Sequence, residues 1–558
     1  MYIPTRKELD FHSRFKIILQ DWYNPFMRHS HSRLFPLSTF FLLFTLSLSS
    51  CVPSGEATPY PTYDPFAPVV ETILPPAPIQ QGEVIIPTKV TGPTPTRAAL
   101  SVTLPPRESN SERRTPTPDL PHPLPPPREF VDSYTVQAGD TLGSIAQGYG
   151  ITLEALMQAN PSVDPNLIAV GTVLNIPSVS PDPIRGSSFK IIPDSELIYS
   201  PGTVQFDVDA YLKTKGGYLS NYVQEVDGEY LSGAEIVTEI AKNYSVNPRL
   251  LIALIEYRSN WVNNQVPENI DYPLGLFDAY YSGLYSQLEW TADNLNRGYY
   301  YWRVNALSTL PLGDGTYVPL SSTVNAGTAG VQYFFSKFND RATWDLDVSE
   351  DGFYRIYGRL FGDPFDYDIA SLLPFNLTQP PMQLPFQPSV TWSFTGGPHG
   401  GWAGGSGWAA LDFAPPGEGG GCDTSDAWVV AVADGLIVRS EDGSVVQDLD
   451  NDGYEQTGWT VLYMHIDSKD RVKQGTYVYA GDAIGHPSCE GGVSTATHLH
   501  LARRFNGEWI PADGNLPFNL DGWISSGNGI EYDGYLTRGT TVIEAWEGVF
   551  EGLNQISR

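Results

Sequence analysis

The chain has 558 residues and a formal net charge of -30, with 33 Lys and Arg against 63 Asp and Glu. At roughly 100–200 residues per domain that length is too great for one core and calls for about three folded units. So acidic a chain excludes nucleic-acid binding by phosphate neutralisation; the charge serves solubility and self-repulsion. Charged residues are 17% and aromatics 12% of the chain. That balance fits an extracellular protein with Tyr- and Trp-rich surfaces for sugar or peptide contact, and equally an aromatic-rich core.

Arg28 and Arg33 precede a mostly apolar run from Leu34 to Leu48, too short for a comfortable transmembrane helix. Leu48, Ser49, Ser50 and Cys51 follow it. This arrangement resembles a bacterial lipoprotein signal, which implies cleavage before Cys51 and lipidation of that residue, with residues 1–50 removed. A start at Met27 would give a signal of ordinary length. The alternative is an uncleaved anchor with an incidental cysteine. Loss of residues 1–50 removes six basic and three acidic groups and leaves a charge of -33. Residues 51–131 are Pro- and Thr-rich, without the periodic apolar positions a core needs. As an extended polyproline tether they would reach on the order of 200 Å.

Residues 132–179 read as a compact βααβ unit. Tyr134–Val136 is the first strand, Asp140 or Thr141 caps the first helix, and Leu142, Ile145 and Ala146 repeat at helical spacing. Leu153, Leu156 and Met157 repeat the pattern, Asn160-Pro161 stops it, and Thr172–Ile176 returns as a strand. The segments Val136-Gln-Ala-Gly-Asp-Thr-Leu, Ala159-Asn-Pro and Gly171-Thr-Val-Leu-Asn-Ile-Pro resemble the LysM domain. The resemblance implies binding of N-acetylglucosamine-containing glycan, with Gly139, Asp140, Thr141, Leu142 and the stretch from Asn160 to Ile168 lining the groove. Asp140 and Asn160 read just as well as a cap and a turn.

Residues 188–375 are helical in pattern. Ala234–Ala241 and Pro248–Ile255 carry i, i+3, i+4 apolar spacing. The stretch from Tyr244 to Trp261 resembles the catalytic helix of lytic transglycosylases, a lysozyme-like fold, with a vaguer echo at Asn325–Tyr333. In that family a Glu stands directly before the Ser; here Arg258 precedes Ser259. Glu256 lies about 200° around the helix from that place. Arginine stays protonated and cannot serve as the general acid. The domain is therefore expected not to cleave glycans, and to bind them or act as a spacer.

Residues 380–547 change to short β-branched runs and frequent Gly. Val429–Ala433, Gly435–Arg439, Trp459–Met464 and His498–Ala502 read as strands. His399 follows Thr395-Gly-Gly-Pro in what reads as a Gly-rich loop, Asp412 lies thirteen residues later, His465 ends a strand, and His498 and His500 alternate on another. Alternate strand residues share a face, so the last two point into one space. The set suits zinc, which accepts imidazole and carboxylate and in catalytic sites keeps three protein ligands plus water. It resembles the lysostaphin-type zinc endopeptidases, in particular the β-lytic subgroup, a β-rich fold of antiparallel sheets with a duplicated hybrid motif. Where the commoner pattern has histidine four residues before the aspartate, Trp408 stands here, so His399 has to serve. The resemblance implies one Zn2+ held by His399, Asp412 and His500, with His465 and His498 catalytic.

Cys422 and Cys489 fall in the same domain and can form a disulfide in an oxidising compartment, or stand as two unrelated buried thiols. Asp448, Asp450 and Asp452, followed by Gly453, begin like a calcium loop, but Trp459 stands where the twelfth-position Glu belongs. An acidic hairpin turn is the plainer reading. The residues together predict a lipid-anchored envelope protein that hydrolyses stem or cross-bridge peptides of peptidoglycan. The competing class is a non-catalytic wall-binding scaffold or hydrolase activator.

Overall fold

The computed structural model describes residues 132–137, 141–149, 151, 153–163, 168–177, 185–369, 372–417, 421–548 and 552–558. The leader, the Pro-rich tether and Cys51 lie outside them, as do Gly139 and Asp140. Among the described residues no helix is long and apolar enough to cross a membrane.

The first folded unit pairs β1 (Asp132–Thr135) antiparallel with β2 (Val173–Ile176) and packs α1 (Leu142–Gly148) and α2 (Leu153–Ala159) beside them. Its core holds Leu142, Ile145, Leu156, Leu174 and Ile176. The Asn160 amide donates to the carbonyls of Leu156 at 2.8 Å and Asn175 at 2.7 Å, and its oxygen accepts the Asn175 N–H at 2.8 Å. This corrects two of the groove assignments. Leu142 is buried in the core, and Asn160 clamps the end of α2 to β2. Thr141 is exposed, and Ile168 is half-buried against the core.

The middle domain is mainly helical. Ser232 and Glu235 form a reciprocal capping box that starts α3 (Gly233–Tyr244). Asn247 caps α4 (Pro248–Ser259), with Pro at its first position, and Asn260 ends it in the left-handed region. The long α5 (Leu284–Arg303) packs on α6 (Ala326–Ser336). Glu256 is turned to its own helix end, where its carboxylate accepts the N–H groups of Val262 at 2.9 Å and Asn263 at 3.2 Å. Arg258 donates to the Leu274 carbonyl and lies over the Phe338 ring. Glu256 and Arg258 therefore both hold structure.

The C-terminal domain is built on β3 (Thr391–His399), β4 (Ala410–Ala414), β5 (Gly435–Glu441), β6 (Ser444–Asp448), β7 (Trp459–Met464), β8 (Tyr477–Val478), β9 (Leu499–Phe505) and β10 (Glu508–Trp509). A smaller sheet follows, β11 (Asn519–Leu520), β12 (Trp523–Gly527), β13 (Gly534–Arg538) and β14 (Thr541–Glu544), and the chain closes with β15 (Gln555–Ser557). Among the described residues the main sheet has nine strands in the order β8-β5-β6-β7-β9-β4-β3-β15, with β10 on β9. Every strand pairing in it is antiparallel.

β6 and β7 are buried along their whole length. One face of the sheet, with Leu411, Phe413, Val445, Val461, Tyr463, Leu499 and Leu501, forms the core of the C-terminal domain. The other face contributes Ala410, Val446, Leu462, Met464 and Ala502 to the apolar core of the helical domain. Strand alternation sets Asp412 with Ala410 and His500 with Ala502, on the face that meets the helices.

Charged groups are buried at the same boundary. Glu455 pairs with Arg439 at 2.9 Å and Arg504 at 2.8 Å, and Arg504 also donates to the Lys242 carbonyl in the last turn of α3. A guanidinium at a helix C-terminus meets the negative end of its dipole. Burial alone would raise the Glu455 pKa; the two guanidinium groups outweigh it and hold the carboxyl below its ordinary value.

Candidate active site

Register brings the site together. In the β4–β9 pairing Asp412 stands opposite His500, and in the β3–β4 pairing it stands opposite Gly396. The absent side chain at Gly396 is what admits the carboxylate, since a Cβ there would lie 2.7 Å from Asp412 Oδ2. His399 is the last residue of β3, not a loop residue as its Gly-rich surroundings imply. Two bulges in the β3–β4 ladder let the strand run on through Gly396, Gly397 and Pro398 and turn the His399 ring inward.

His399 Nε2 and His500 Nδ1 are 3.0 Å apart, and each is 3.2 Å from Asp412 Oδ1. The other nitrogen of each ring faces a backbone carbonyl, His399 Nδ1 at 2.7 Å from Gly397 O and His500 Nε2 at 3.1 Å from Gly401 O. A carbonyl only accepts, so these nitrogens carry the protons in the neutral rings. The inward nitrogens then present lone pairs to each other and to Asp412 Oδ1, a buried oxygen without a hydrogen-bond partner. Three lone pairs converging at this spacing need a cation between them. Tetrahedral zinc with bonds of about 2.0–2.2 Å would hold such ligand atoms roughly 3.3 Å apart, so the donor set fits it.

Two more imidazoles flank the triangle. His465 Nδ1 donates to the Glu490 carbonyl at 3.1 Å, and His498 Nδ1 donates to the Ala496 carbonyl at 2.8 Å. His498 Nε2 lies 3.8 Å from Asp412 Oδ2, and the His465 and His498 ring centroids are 4.4 Å apart. His465 sits at a φ of 65°, in the left-handed region, immediately after β7. Such a conformation costs of order 1–3 kcal/mol and is kept where surrounding structure over-determines it. Burial, and then the neighbouring His498 and His500, push the His465 pKa down to about 3, so this ring is neutral near pH 7. Burial also lowers His500, whereas at His399 the Asp412 charge outweighs burial and raises the value. Asp412 is held well below the usual carboxylate range, because His399 and His498 overcome the opposing effect of burial.

Tyr532 was not anticipated from the sequence. It lies between β12 and β13, in the segment after the main sheet, and its ring stacks on His399 with centroids 4.2 Å apart. Its carbonyl accepts the Gly397 N–H at 2.8 Å, and its φ is 67°. The only local signal is a Glu-Tyr-Asp-Gly turn sequence, which says nothing of what the ring touches.

Cys422 and Cys489 are joined by a disulfide across 67 residues. Cys489 precedes Glu490, whose carbonyl orients His465. The acidic stretch is a turn from β6 toward β7, where the Asp448 carboxylate accepts the N–H groups of Asp450, Asn451 and Gly453. Ligand-capable oxygens of Asp448, Asp450 and Asp452 lie within 4.8 Å of one another. Those backbone bonds occupy Asp448 as a turn former, and the calcium reading gains no support. Burial, with Asp450 beside it, raises the Asp448 pKa to about 8.

Residues 420–511 match the family model of Peptidase family M23. The C-terminal domain is an M23 peptidase domain. The match takes in His465, His498 and His500, while His399 and Asp412 lie before it. Residues 134–177 match the LysM domain, so a LysM module stands N-terminal to the M23 match. Residues 190–376 match the family model of the LasA N-terminal domain. Protease LasA of Pseudomonas aeruginosa is 26% identical over 353 residues, covering 58% of this chain and 75% of LasA. Intracellular hyphae protein 1 of Colletotrichum lindemuthianum is 54% identical over 50 residues, 9% of this chain; the chain spans only 22% of that protein's length. Among solved structures, the M23 metalloprotease pseudoalterin from the deep sea is 26% identical, covering 32% of this chain and 99% of that one, with a TM-score of 0.25. The catalytic domain of lysostaphin from Staphylococcus simulans is 28% identical, covering 22% and 89% of the two chains, with a TM-score of 0.16.

Proposed function

We propose that the protein is a zinc-dependent endopeptidase that hydrolyses peptide bonds in the stem or cross-bridge peptides of peptidoglycan, outside the cytoplasm. The observation that carries this reading is the convergence of His399 Nε2, His500 Nδ1 and Asp412 Oδ1 within 3.2 Å of one another at one buried point, with the outer ring nitrogens facing backbone carbonyls. These residues would hold the ion. When bound, zinc supplies Lewis acidity toward water and a peptide carbonyl. Around it the chain does the rest. The Gly397 and Gly401 carbonyls fix the tautomers of the ligand rings, as outer-shell acceptors do in zinc sites. Glu490 and Ala496 do the same for His465 and His498, leaving each Nε2 free to accept a proton from the attacking water or to donate to the developing oxyanion. Tyr532 covers one face of His399 and keeps that ring in plane.

The LysM module would hold the enzyme on glycan, with Gly139, Asp140, Thr141 and the Ile168 stretch as its groove. A lipid on Cys51 and the Pro-rich tether would fix the reach from the membrane. Two measurements test the catalytic reading. Zinc content near one per molecule is expected for the purified chain. Incubation with peptidoglycan is expected to yield new peptide ends for the wild type, and for His465→Ala fewer by about 10²–10⁴-fold. Equal yields from both proteins, or none from either, would leave the scaffold reading in its place.

A further inference from the structure

The loop that follows β3 completes the site, because its Gly401 carbonyl accepts the His500 Nε2 proton at 3.1 Å. The loop is knotted on itself. Gly401 N–H donates to the Gly407 carbonyl at 3.0 Å, Trp402 N–H to Ser406 Oγ at 2.9 Å, and Ser406 Oγ to the Ala403 carbonyl at 3.0 Å. With so many Gly, a segment like this has high conformational entropy and needs an outside hold.

That hold comes from the helical domain. Asp293, on α5, accepts the Gly405 N–H at 2.6 Å, and its carboxylate is steadied by Arg297 at 3.1 Å. The loop backbone lies directly on the helix: a Cβ on Gly405 would come within 2.0 Å of the Asp293 carbonyl. Two further contacts flank the bond. Trp402 meets Tyr244 at the end of α3, with ring centroids 6.4 Å apart, and the Tyr300 hydroxyl of α5 accepts the Trp509 N–H at 3.0 Å. A continuous chain of contacts thus runs from α5 through Gly405 and the knotted loop to Gly401 and His500.

We propose that the helical domain is a working part of the metal site, and that Asp293 is a positioning residue which fixes the loop from Gly400 to Ala409. The proposal rests on the zinc reading above. Its chemistry is geometric. The Asp293 bond holds the loop, the loop holds the Gly401 carbonyl, and that carbonyl sets which His500 nitrogen carries the proton and which faces the ion.

The test uses the full chain, with zinc affinity measured by chelator competition and peptide cleavage measured on purified peptidoglycan. Asp293→Ala is expected to weaken zinc about tenfold, the low end for outer-shell groups, and to lower kcat with KM unchanged. Asp293→Asn keeps an acceptor oxygen and is expected to restore both to within about twofold. Ser245→Ala is the control for a merely loosened domain boundary. It removes a 2.6 Å bond to the Gly507 carbonyl, on a different loop, and is expected to lower the melting temperature without changing zinc affinity. Wild-type zinc affinity in Asp293→Ala overturns the proposal. So does an Asp293→Asn as weak as the alanine variant, which would assign the effect to the Arg297 ion pair. An equal loss in Ser245→Ala overturns it as well, by making the effect a general one. A wild type that binds no zinc fails differently, since it removes the catalytic reading itself and this proposal with it.

Discussion

Two segments of this chain carry clustered polar groups, α4 in the helical domain and the β4–β9 pair in the C-terminal domain, and they have opposite fates. On α4, Glu256 has its oxygens filled by Val262 and Asn263, and Arg258 is spent on a carbonyl and an aromatic face. Beside the β4–β9 pair the Gly397 and Gly401 carbonyls face the outward nitrogens of His399 and His500, and the inward nitrogens face Asp412 Oδ1, which has no hydrogen-bond partner. A buried polar group satisfied by its own neighbours is architecture. One left aimed at other lone pairs is a socket.

The contrast breaks most sharply at His500. His500→Ala is expected to lose zinc and all measurable cleavage, read by metal analysis and muropeptide profiling; a variant that kept one zinc per molecule would refute the socket. Next in size is the cross-link beside His465. Replacing Cys422 and Cys489 together by Ser opens a loop of 67 residues, and the chain-entropy model puts that cost at about 4 kcal/mol, measurable by urea unfolding.

Glu455→Gln is expected to cost about 3 kcal/mol at pH 7, because Arg439 and Arg504 stay buried with their counter-charge removed. The pH dependence has a definite sign. The Glu455 pKa is depressed on folding, so its contribution is present above the ordinary carboxylate value and is lost as pH falls through the lower folded value. The stability gap between wild type and variant should therefore narrow in acid; a gap that widened would contradict the assigned pairing. The smallest effect belongs to α4. Glu256→Gln should cost about 1 kcal/mol in unfolding measurements, and neither it nor the wild type should release anhydro-muropeptides.

How far the sequence carried this picture depends on the kind of signal. The spacing of His498 and His500 and the apolar periodicity of α3 and α4 are local, and they were legible. The facing of Asp412 and His500 depends on two strands nearly ninety residues apart, and only the order of residues along the chain hinted at it. His399 was read as a loop residue because Gly396, Gly397 and Pro398 mimic a turn, while the bulged ladder that accommodates them is a property of the partner strand. Tyr532 reaches the site from a separate sheet and leaves no periodic trace. The packing of the helical domain on the peptidase sheet was hidden for a related reason. Strands covered on both sides, such as β6 and β7, lose the alternation that would announce one solvated face.

The shared apolar core has a practical corollary for handling the protein. Phe375, in the connector between the helical and peptidase halves, is 88% exposed and open to a protease. A nick there would sever the chain without separating its parts. Parting them would put Val446, Leu462, Met464 and Ala502 into water, so the two fragments should co-elute from a sizing column until a denaturant is added.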